Sequence, residues 1–408
     1  MVHLKDYKAP SFWIRETFLH FDLHEDHARV RSKLKLERRK NSDGSLVQEN
    51  FVQLDGENLS LKSVKLNGDA CTPAPAATPA LSPESAAATP LAQGQYRLVG
   101  EKLQVGVGAL SDFTLEIDVT NEPQKNLACE GLYRSSGMFC TQCEAESFRR
   151  ITYYIDRPDV MSVFTVTMEA DKAKYPILLS NGNRTATREM NNGRHEATWH
   201  DPHKKPCYLF ALVAGDIGCL RDTFTTASGR EVALEIYCRK GLEARCVHAM
   251  DSLKKSMRWD EERYGLEYDL DVFMIVVADD FNMGAMENKG LNIFNANYIL
   301  ADRQTATDKD YDNILAVVGH EYFHNWTGNR ITCRDWFQLS LKEGLTVYRD
   351  QEFSADMGSR AVKRIEDVIR LRTHQFAEDA GPMAHPVRPQ SYEAIDNFYT
   401  LTVYEKGA

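Results

Sequence analysis

Two histidines, His320 and His324, and a glutamate between them, Glu321, have the types and spacing that a hydrolytic metal site requires. On an α-helix of about 3.6 residues per turn, positions four apart point the same way, so both imidazoles can bind one cation. Glu321 projects about 100° away from His320 around the helix axis, close to the metal but not bound to it. The pattern predicts zinc hydrolysis in which imidazoles hold the ion and a carboxylate takes a proton from water.

A catalytic zinc normally has three protein ligands and one open position for water, so a third ligand is needed. Glu343 is the candidate, with eighteen residues between it and His324. Residues 327–330 predict a helix stop and turn, and the amphipathic run after them predicts a second helix that returns the carboxylate to the ion. We therefore expect one Zn²⁺ per chain, bound by His320, His324 and Glu343.

The alternative for such a pattern is a chance match on an ordinary helix face, which a chain of this size contains at a rate of a few per cent. A glutamate at this distance makes a chance match much rarer. The chain also contains His195 and His200, which are five positions apart and would project about 140° from each other on a helix. We interpret that second pair as part of a surface turn.

A second motif lies upstream, at residues 279–290, after an apolar run at 272–277 that predicts a buried strand. Its glycines allow the backbone to approach a ligand closely. It contains Gly-Ala-Met-Glu-Asn at 284–288, and this sequence followed by His-Glu-x-x-His-x18-Glu is the paired signature of the aminopeptidase N family of zinc exopeptidases. The chain resembles that family over nearly all its length, most closely the bacterial-type branch.

The resemblance implies roles for further residues. Glu287 and Glu144 match carboxylates that bind the substrate's free α-amino group, Tyr404 matches the tyrosine that stabilises the tetrahedral intermediate, and Glu321 matches the general base. The implied substrate-binding set is Gln142, Glu144, Met283, Gly284, Ala285, Met286, Glu287 and Asn288, with Gln142 and Met283 at the pocket for the first side chain. Two carboxylates would hold an amine of pKa about 7.7 to 8 as a cation, and a tyrosine hydroxyl can donate where negative charge develops.

Composition limits the other classes of function. The 408 residues suffice for two domains or more, and a net charge of -10 argues against a nucleic-acid binder. No apolar run approaches the roughly 18 residues of a membrane span, and the first residues lack the apolar core of a secretory signal, so we expect a cytoplasmic protein. Nine cysteines fit reduced thiols. For the Cys140-x-x-Cys143 pair we favour packing over redox or metal chemistry.

The hydrophobic pattern predicts an α+β chain of two domains. Between about 11 and 215 apolar and polar residues alternate with a period of two, and Asp43-Gly44 and Asn181-Gly182 are typical of hairpin turns. We therefore expect an antiparallel β-sandwich or saddle domain at 1–215, with an Ala/Pro-rich surface insertion at 71–93. Residues 216–408 are predicted to form a mostly helical domain, thermolysin-like by resemblance. Its zinc helix begins near residue 308 or 310, and a long helix passes through Glu352 and Ile365.

The expected function is a zinc aminopeptidase that hydrolyses the first peptide bond of peptides with a free amino terminus. Family members continue for several hundred residues beyond the point that matches Ala408, so the resemblance implies that carboxy-terminal domains are missing and the catalytic domain is incomplete. An alternative is therefore a catalytically incompetent fragment that binds zinc and peptide amino termini. A relative that opens a lipid epoxide is disfavoured, because that branch has Gly-Gly-Met-Glu-Asn where Ala285 stands here.

Overall fold

A computed structural model describes residues 1–75 and 90–408. Most of the predicted insertion at 71–93 lies outside these described residues. The described chain divides into two compact units, one formed by Ala9–Gly215 and the other by Met1–Lys8 with Asp216–Ala408. The units differ from the predicted division at 1–215 and 216–408 in the first eight residues, and the domain boundary itself stays a prediction.

The unit Ala9–Gly215 is built from strands that pair mostly antiparallel. With β1 (Val2–His3) assigned to the other unit, its described strands are β2 (Phe12–Leu23), β3 (Ala28–Arg38), β4 (Phe51–Asp55), β5 (Ser60–Leu66), β6 (Asp69–Ala70), β7 (Thr72–Pro73), β8 (Gln95–Val99), β9 (Lys102–Gly106), β10 (Asp112–Asn121), β11 (Gly131–Ser135), β12 (Met138–Gln142), β13 (Met161–Asp171), β14 (Ile177–Ser180), β15 (Asn183–Glu189), β16 (Arg194–Pro206) and β17 (Leu212–Gly215). Their orders within sheets are β15-β16-β13-β2-β3-β10-β5-β6, β11-β12-β17-β14 and β4-β9-β8-β7.

The predicted alternation along these strands is confirmed. In β3 every second side chain is buried, including Val30, Leu34 and Leu36, while the basic residues between them face outward. The partner strand β10 buries Val119 opposite Val30 and Leu115 opposite Leu34. Because side chains on a strand alternate between faces, this register places one apolar face toward the core. The strand-rich character of this unit follows directly from the sequence pattern.

The two predicted hairpin turns have different outcomes: the chain folds back on itself at Gly44, where Lys40 and Leu46 form an antiparallel bridge, whereas β14 and β15 on either side of Gly182 do not pair with each other. Gly44 and Gly182 both have positive φ, +83° and +88°, as their turns require. However, the strands on either side of each turn belong to different sheets, since β3 pairs with β10 whereas β4 pairs with β9, and β14 pairs with β17 whereas β15 pairs with β16. An Asp-Gly or Asn-Gly sequence therefore predicts the local turn only. Which strands pair with one another depends on which apolar faces meet in the core.

The interpretation of His195 and His200 as a surface turn is wrong. Both residues lie in β16, which pairs with β13 over its length. Ala197 and Trp199 between them are buried, while the intervening residues are not fully buried. The stretch therefore has the period of two that a half-buried strand requires.

The second unit contains a mixed sheet and the helices. Its strands are β1, β18 (Gly218–Thr225), β19 (Glu231–Cys238), β20 (Val272–Ala278), β21 (Ala285–Met286), β22 (Leu291–Asn295) and β23 (Ser391–Tyr392), and its α-helices are α1 (Val247–Tyr264), α2 (Asp308–Phe323), α3 (Ser340–Met357), α4 (Arg360–Arg370) and α5 (Phe376–Asp379). The larger sheet has the order β18-β19-β20-β22-β21, with β21 antiparallel to β22. The buried strand predicted at 272–277 is β20.

The helix that carries His320 and His324 begins where the sequence predicted, but the helix that contains Glu343 is shorter than predicted. Thr307 and Asp310 form a reciprocal capping box at the start of α2, as the acidic residues there predicted. The long helix expected through Glu352 and Ile365 is instead two helices, because α3 ends at Met357 and Gly358 has a non-helical conformation. No α-helix in the described residues is both long and apolar enough to cross a membrane.

The core of this unit lies between the sheet and helices α1 and α2. It combines buried side chains from β19 and β20 with those of the two helices, and α3 adds Phe353. Trp259, Phe323 and Phe353 pack with ring centroids 5.0 to 5.7 Å apart. This aromatic contact fixes α1 and α3 against the carboxyl end of α2, where His320 and His324 lie.

Candidate metal centre and active site

His320, His324 and Glu343 converge on one point. The two Nε2 atoms lie 3.0 Å apart. Glu343 Oε2 lies 3.4 Å from Nε2 of His320 and 3.3 Å from Nε2 of His324. The histidines come from the last turn of α2 and its carboxyl end, and Glu343 comes from the first turn of α3. Folding therefore brings together three possible ligands that the sequence separates by eighteen residues.

The spacing and chemistry of these donors fit a tetrahedral metal ion. With zinc bonds of about 2.0 to 2.1 Å, tetrahedral ligand atoms lie about 3.3 Å apart. The other ring nitrogens are engaged: His324 Nδ1 donates to the main-chain oxygen of Thr327 at 2.8 Å, and His320 Nδ1 lies 2.7 Å from Asp350 Oδ2. A carbonyl oxygen can only accept, so His324 Nδ1 carries a proton, and in the neutral ring Nε2 is then the nitrogen with the lone pair. Such outer partners orient metal-binding histidines.

Sequence reasoning missed Asp350. It lies seven positions after Glu343 in α3, two helical turns along the same face, which places its carboxylate beside His320. The seven-residue spacing from Glu343 would have predicted a carboxylate on the same face of the helix as the proposed ligand. Thr327, by contrast, acts through its main-chain oxygen, so its side-chain type gave no indication.

Glu321 is buried on the same helix, as the spacing predicted. Burial raises the pKa of its carboxyl group well above the ordinary value; the charges of Glu287 and Glu343 add to the increase, whereas His320 opposes it. Among the described residues, its buried Oε2 atom has no hydrogen-bond partner. An unpaired buried carboxylate oxygen is costly unless a proton or a ligand uses it.

Glu287 follows the short edge strand β21 and is buried close to Glu343. Lys342, itself fully buried, donates to both carboxylates, at 2.5 Å to Glu287 Oε1 and 2.6 Å to Glu343 Oε1. Asn329 Nδ2 donates to the main-chain oxygen of Glu287 at 2.8 Å, which fixes the backbone. Burial opposes ionisation of Glu343, but Lys342 and the two histidines outweigh it and hold the pKa well below its usual range. The sequence gave Lys342 no role.

The rest of the 284–288 motif lines the same edge of the sheet. Ala285 pairs with Phe294 and Met286 with Ile293, so the motif is held antiparallel to β22. Gly284 accepts a main-chain hydrogen bond from Asn295 at 2.9 Å. Met283 is half-buried and Asn288 is fully buried. The structure therefore gathers residues 283–288 into one ordered segment next to Glu287, and their substrate-binding roles stay predictions.

Tyr404 lies in a π-helical turn, Thr402–Lys406, that packs against the start of α3. Ser340 Oγ donates to the main-chain oxygen of Val403 at 2.9 Å. A side chain at Gly344 would place its Cβ 2.6 Å from the carbonyl carbon of Gly407, so the contact requires glycine. Tyr404 is half-buried with its ring 6.5 Å from that of Tyr399. The turn with Tyr404 thus contacts the helical turn that contains Glu343.

Gln142 and Glu144 belong to the unit Ala9–Gly215. Gln142 is the last residue of β12 and Glu144 follows two positions later; both are buried. Gln142 Nε2 donates to the main-chain oxygen of Glu144 at 3.3 Å. The neighbouring Cys140 and Cys143 are buried free thiols, and burial raises the pKa of Cys140 to about 12, so it remains protonated at neutral pH. The predicted substrate roles of Gln142 and Glu144 stay predictions.

Comparisons with known proteins give one consistent family. Residues 46–209 match the Peptidase M1 N-terminal domain, and residues 248–408 match the Peptidase family M1 domain. Aminopeptidase N of Escherichia coli (strain K12) is 58% identical over 407 residues, covering 99% of this chain and 43% of the relative. Aminopeptidase N of Caulobacter vibrioides is 55% identical, covering 100% of this chain and 44% of the relative.

A solved structure agrees. The crystal structure of Legionella pneumophila aminopeptidase A in complex with aspartic acid superposes with a TM-score of 0.86 at 32% identity, covering 100% of this chain and 44% of that chain. The chain thus spans less than half the length of the relatives it matches. Because both of its parts match domains of the same family and the similarity extends over the whole chain, this chain belongs to peptidase family M1.

Proposed function

We propose that the chain carries the catalytic site of a zinc aminopeptidase, which removes single residues from peptides with a free amino terminus. The observation that carries this proposal is the convergence of His320, His324 and Glu343, with their Nε2 and Oε2 atoms 3.0 to 3.4 Å apart. Both ring Nδ1 atoms are engaged elsewhere, so both Nε2 atoms face the same position beside Glu343. The names of the relatives support the same reaction class.

In this proposal His320, His324 and Glu343 hold the zinc ion. Zinc, when bound, polarises the scissile carbonyl and lowers the pKa of water to about 7. Glu321 is the general base: its carboxylate accepts the proton of the attacking water and passes it to the nitrogen of the leaving amine. Burial raises the pKa of Glu321, so its carboxylate binds a proton more strongly than an exposed glutamate does.

Glu287 is proposed to bind the α-ammonium group of the substrate. Lys342 Nζ already donates to Glu287 Oε1, so the other carboxylate oxygen is the one available to a substrate. The α-ammonium group distinguishes the amino end of a peptide from its interior, so a charged hydrogen bond at this point sets where the chain is cut. Glu144 and Gln142 are assigned to the same task by family resemblance alone.

The hydroxyl group of Tyr404 is proposed to donate a hydrogen bond to the oxygen of the scissile carbonyl, which gains negative charge as water attacks. One donor in such a position typically contributes a factor of about a hundred or more in rate. Support comes from the packing of the turn Thr402–Lys406 on the first turn of α3, near Glu343.

A second candidate function is a fragment that binds zinc and peptide amino termini without turnover. Two observations favour it: the chain spans 43% of the length of a relative 58% identical to it, and helix α4 has no buried residue. In this candidate the site holds the metal but does not orient the substrate for hydrolysis. The two candidates make the same prediction for metal content and opposite predictions for hydrolysis.

The decisive experiment measures zinc content and hydrolysis of an aminoacyl anilide beside its amine-acetylated twin. One zinc per chain with cleavage of the free-amine compound alone supports the aminopeptidase. Zinc bound without turnover supports the binding fragment, and equal cleavage of both compounds contradicts recognition of the amine. Absence of zinc binding overturns both candidates. Glu287→Ala should reduce the discrimination between the two compounds more than it reduces zinc content.

A further inference from the structure

The carboxyl end of α2 is held by a buried arginine from α3. The last carbonyl groups of a helix have no partner within the helix, and Phe323 is the last residue of α2. Arg349 donates from Nη1 to the main-chain oxygen of Phe323 at 2.9 Å and to Thr327 Oγ1 at 3.1 Å. Its Nη2 donates to Asp260 of α1. One guanidinium group therefore ties together α1, α2 and α3.

The same network reaches the metal site through Thr327. The main-chain oxygen of Thr327 accepts the Nδ1 proton of His324 at 2.8 Å, as described above. Thr346, three positions after Glu343, supports this carbonyl: its hydroxyl donates to Thr327 O at 3.2 Å and lies 2.9 Å from Thr327 Oγ1. Thr346 thus contacts the carbonyl that orients His324 directly, whereas Arg349 holds the same residue through the Thr327 hydroxyl and the neighbouring Phe323 carbonyl.

A contribution to fold stability does not by itself account for the buried ion pair of Arg349 and Asp260. Arg349 and Asp260 are 3% and 0% exposed, and buried ion pairs often stabilise a fold less than apolar residues of the same size. An arginine at a helix carboxyl end does interact well with the helix dipole. Its planar fork also donates in several fixed directions at once, which a lysine cannot do. The feature that this pair provides is therefore fixed geometry at Phe323 and Thr327.

We propose that Arg349, oriented by Asp260, is a positioning residue for the metal site. It holds Thr327 by its side-chain hydroxyl, and the main-chain carbonyl of Thr327 in turn fixes the Nδ1 proton and the ring orientation of His324, so that Nε2 faces the ion. The inference rests on the proposed zinc site. Loss of hydrogen-bonded partners of metal-binding histidines typically weakens metal affinity about 10- to 100-fold, and we expect a weakening of about tenfold for this more remote group.

The test measures zinc affinity by competition with a chromophoric chelator, for the unsubstituted chain and for Arg349→Lys, Arg349→Met and Asp260→Asn. The visible absorption of the Co²⁺-loaded chain reports ligand geometry independently of activity. Thermal unfolding of the metal-free chains measures stability separately. We expect each substitution to weaken zinc binding and alter the cobalt spectrum, with Arg349→Lys retaining the charge but not the function.

A matched control is available in the other unit. Lys205 and Asp201 form a buried ion pair, with their atoms 3.0 Å apart and side chains 1% and 0% exposed. Lys205→Met should change stability and leave zinc affinity and the cobalt spectrum unchanged. If Arg349→Lys and Asp260→Asn bind zinc like the unsubstituted chain while losing stability, the pair is only structural and the inference is wrong. If the unsubstituted chain binds no zinc, the proposed function fails and this inference with it.

Discussion

Each ring nitrogen of His320 and His324 has a defined partner. The Nδ1 atoms contact Asp350 and the Thr327 carbonyl, and the Nε2 atoms face each other and Glu343. Glu321 stands beside this set with one carboxylate oxygen unpaired among the described residues. The residues that would hold the metal are therefore distinct from the residue that would move the proton, and the two roles can be separated by substitution.

Glu321→Gln should keep zinc and lose hydrolysis. The amide has nearly the size of the carboxylate but cannot accept a proton, and general-base catalysis typically contributes a factor of about 10² to 10⁴. Zinc content by atomic absorption and the rate on an aminoacyl anilide measure the two effects. Glu343→Gln is the matched control, because it alters a proposed ligand and should lower the zinc content itself. A Glu321→Gln variant with normal turnover would remove Glu321 from the role of base.

Asp260 should give the stability a distinctive pH dependence. Burial raises its pKa from the ordinary 3.8 to about 6, although Arg349 favours the ionised form. Between these values the folded chain holds a proton that the unfolded chain has lost, so the contribution of Asp260 to stability is greatest below about pH 4 and is lost as the pH rises through 6. Each unit of pKa shift corresponds to about 1.4 kcal/mol.

The measurement is the free energy of unfolding of the metal-free chain across pH 4 to 7, compared with Asp260→Asn. Relative to the asparagine variant, the unsubstituted chain should lose up to about 3 kcal/mol over this range. A relative stability that rises with pH would mean that the attraction of Arg349 outweighs burial and that the pKa of Asp260 is lowered instead.

At the scale of elements, the site depends on how closely α3 meets the turn Thr402–Lys406. A Cβ at Gly344 would meet the backbone of Gly407 at 2.6 Å, and a Cβ at Gly407 would meet Ser340 Oγ and the Val403 carbonyl oxygen at 2.1 Å, so neither position has room for a side chain. Gly344 is adjacent to the proposed ligand Glu343, and the turn contains Tyr404. A small change at this contact should therefore move Tyr404 relative to the metal site while leaving the ligand side chains chemically intact.

Gly344→Ala tests the role of Tyr404 through this contact. Its Cβ would meet the carbonyl carbon of Gly407 at 2.6 Å, so the turn must shift. If Tyr404 stabilises the intermediate, kcat should fall by about tenfold or more, as expected for a displaced oxyanion donor, with a smaller change in zinc affinity. Tyr404→Phe supplies the comparison. Equal kcat for Gly344→Ala and the unsubstituted chain would show that the contact does not position the tyrosine.

At the scale of the molecule, the second unit exposes an unusually apolar helix face. Val362, Ile365 and Ile369 in α4 and Phe376 at the start of α5 are each more than half exposed. Residues three, four and seven apart share one helix face, so the α4 residues form a stripe. Exposed apolar patches of this kind mark contact surfaces or sites of aggregation.

We expect this stripe to cause self-association of the chain. The double substitution Ile365→Glu with Ile369→Glu should lower the mass-average molecular weight seen by light scattering at high protein concentration and reduce binding of an apolar dye. Zinc affinity should not change, because neither residue contacts the metal ligands. Unchanged association of the double variant would place the associating surface elsewhere.

The sequence determined the features that depend on local spacing. The period of two in the first half predicted strands, and the four-residue spacing of His320 and His324 predicted one helix face. The family signature predicted Glu343 and Glu287 together. The structure brings His320, His324 and Glu343 together and buries Glu287 beside Lys342. Each of these predictions rests on the periodicity of a helix or a strand, or on a short motif that can be identified in the sequence.

Only the tertiary structure decided which strands pair, where the helix after Glu343 breaks, and what surrounds the ligands. Turns at Gly44 and Gly182 redirect the chain between sheets, and the choice of partner depends on distant apolar faces. Lys342, Arg349 and Asp260 have ordinary sequence neighbours, yet they are buried and paired across elements up to 89 residues apart. Burial turns such charges into precise constraints, because an ion removed from water must find a partner at a fixed distance and direction.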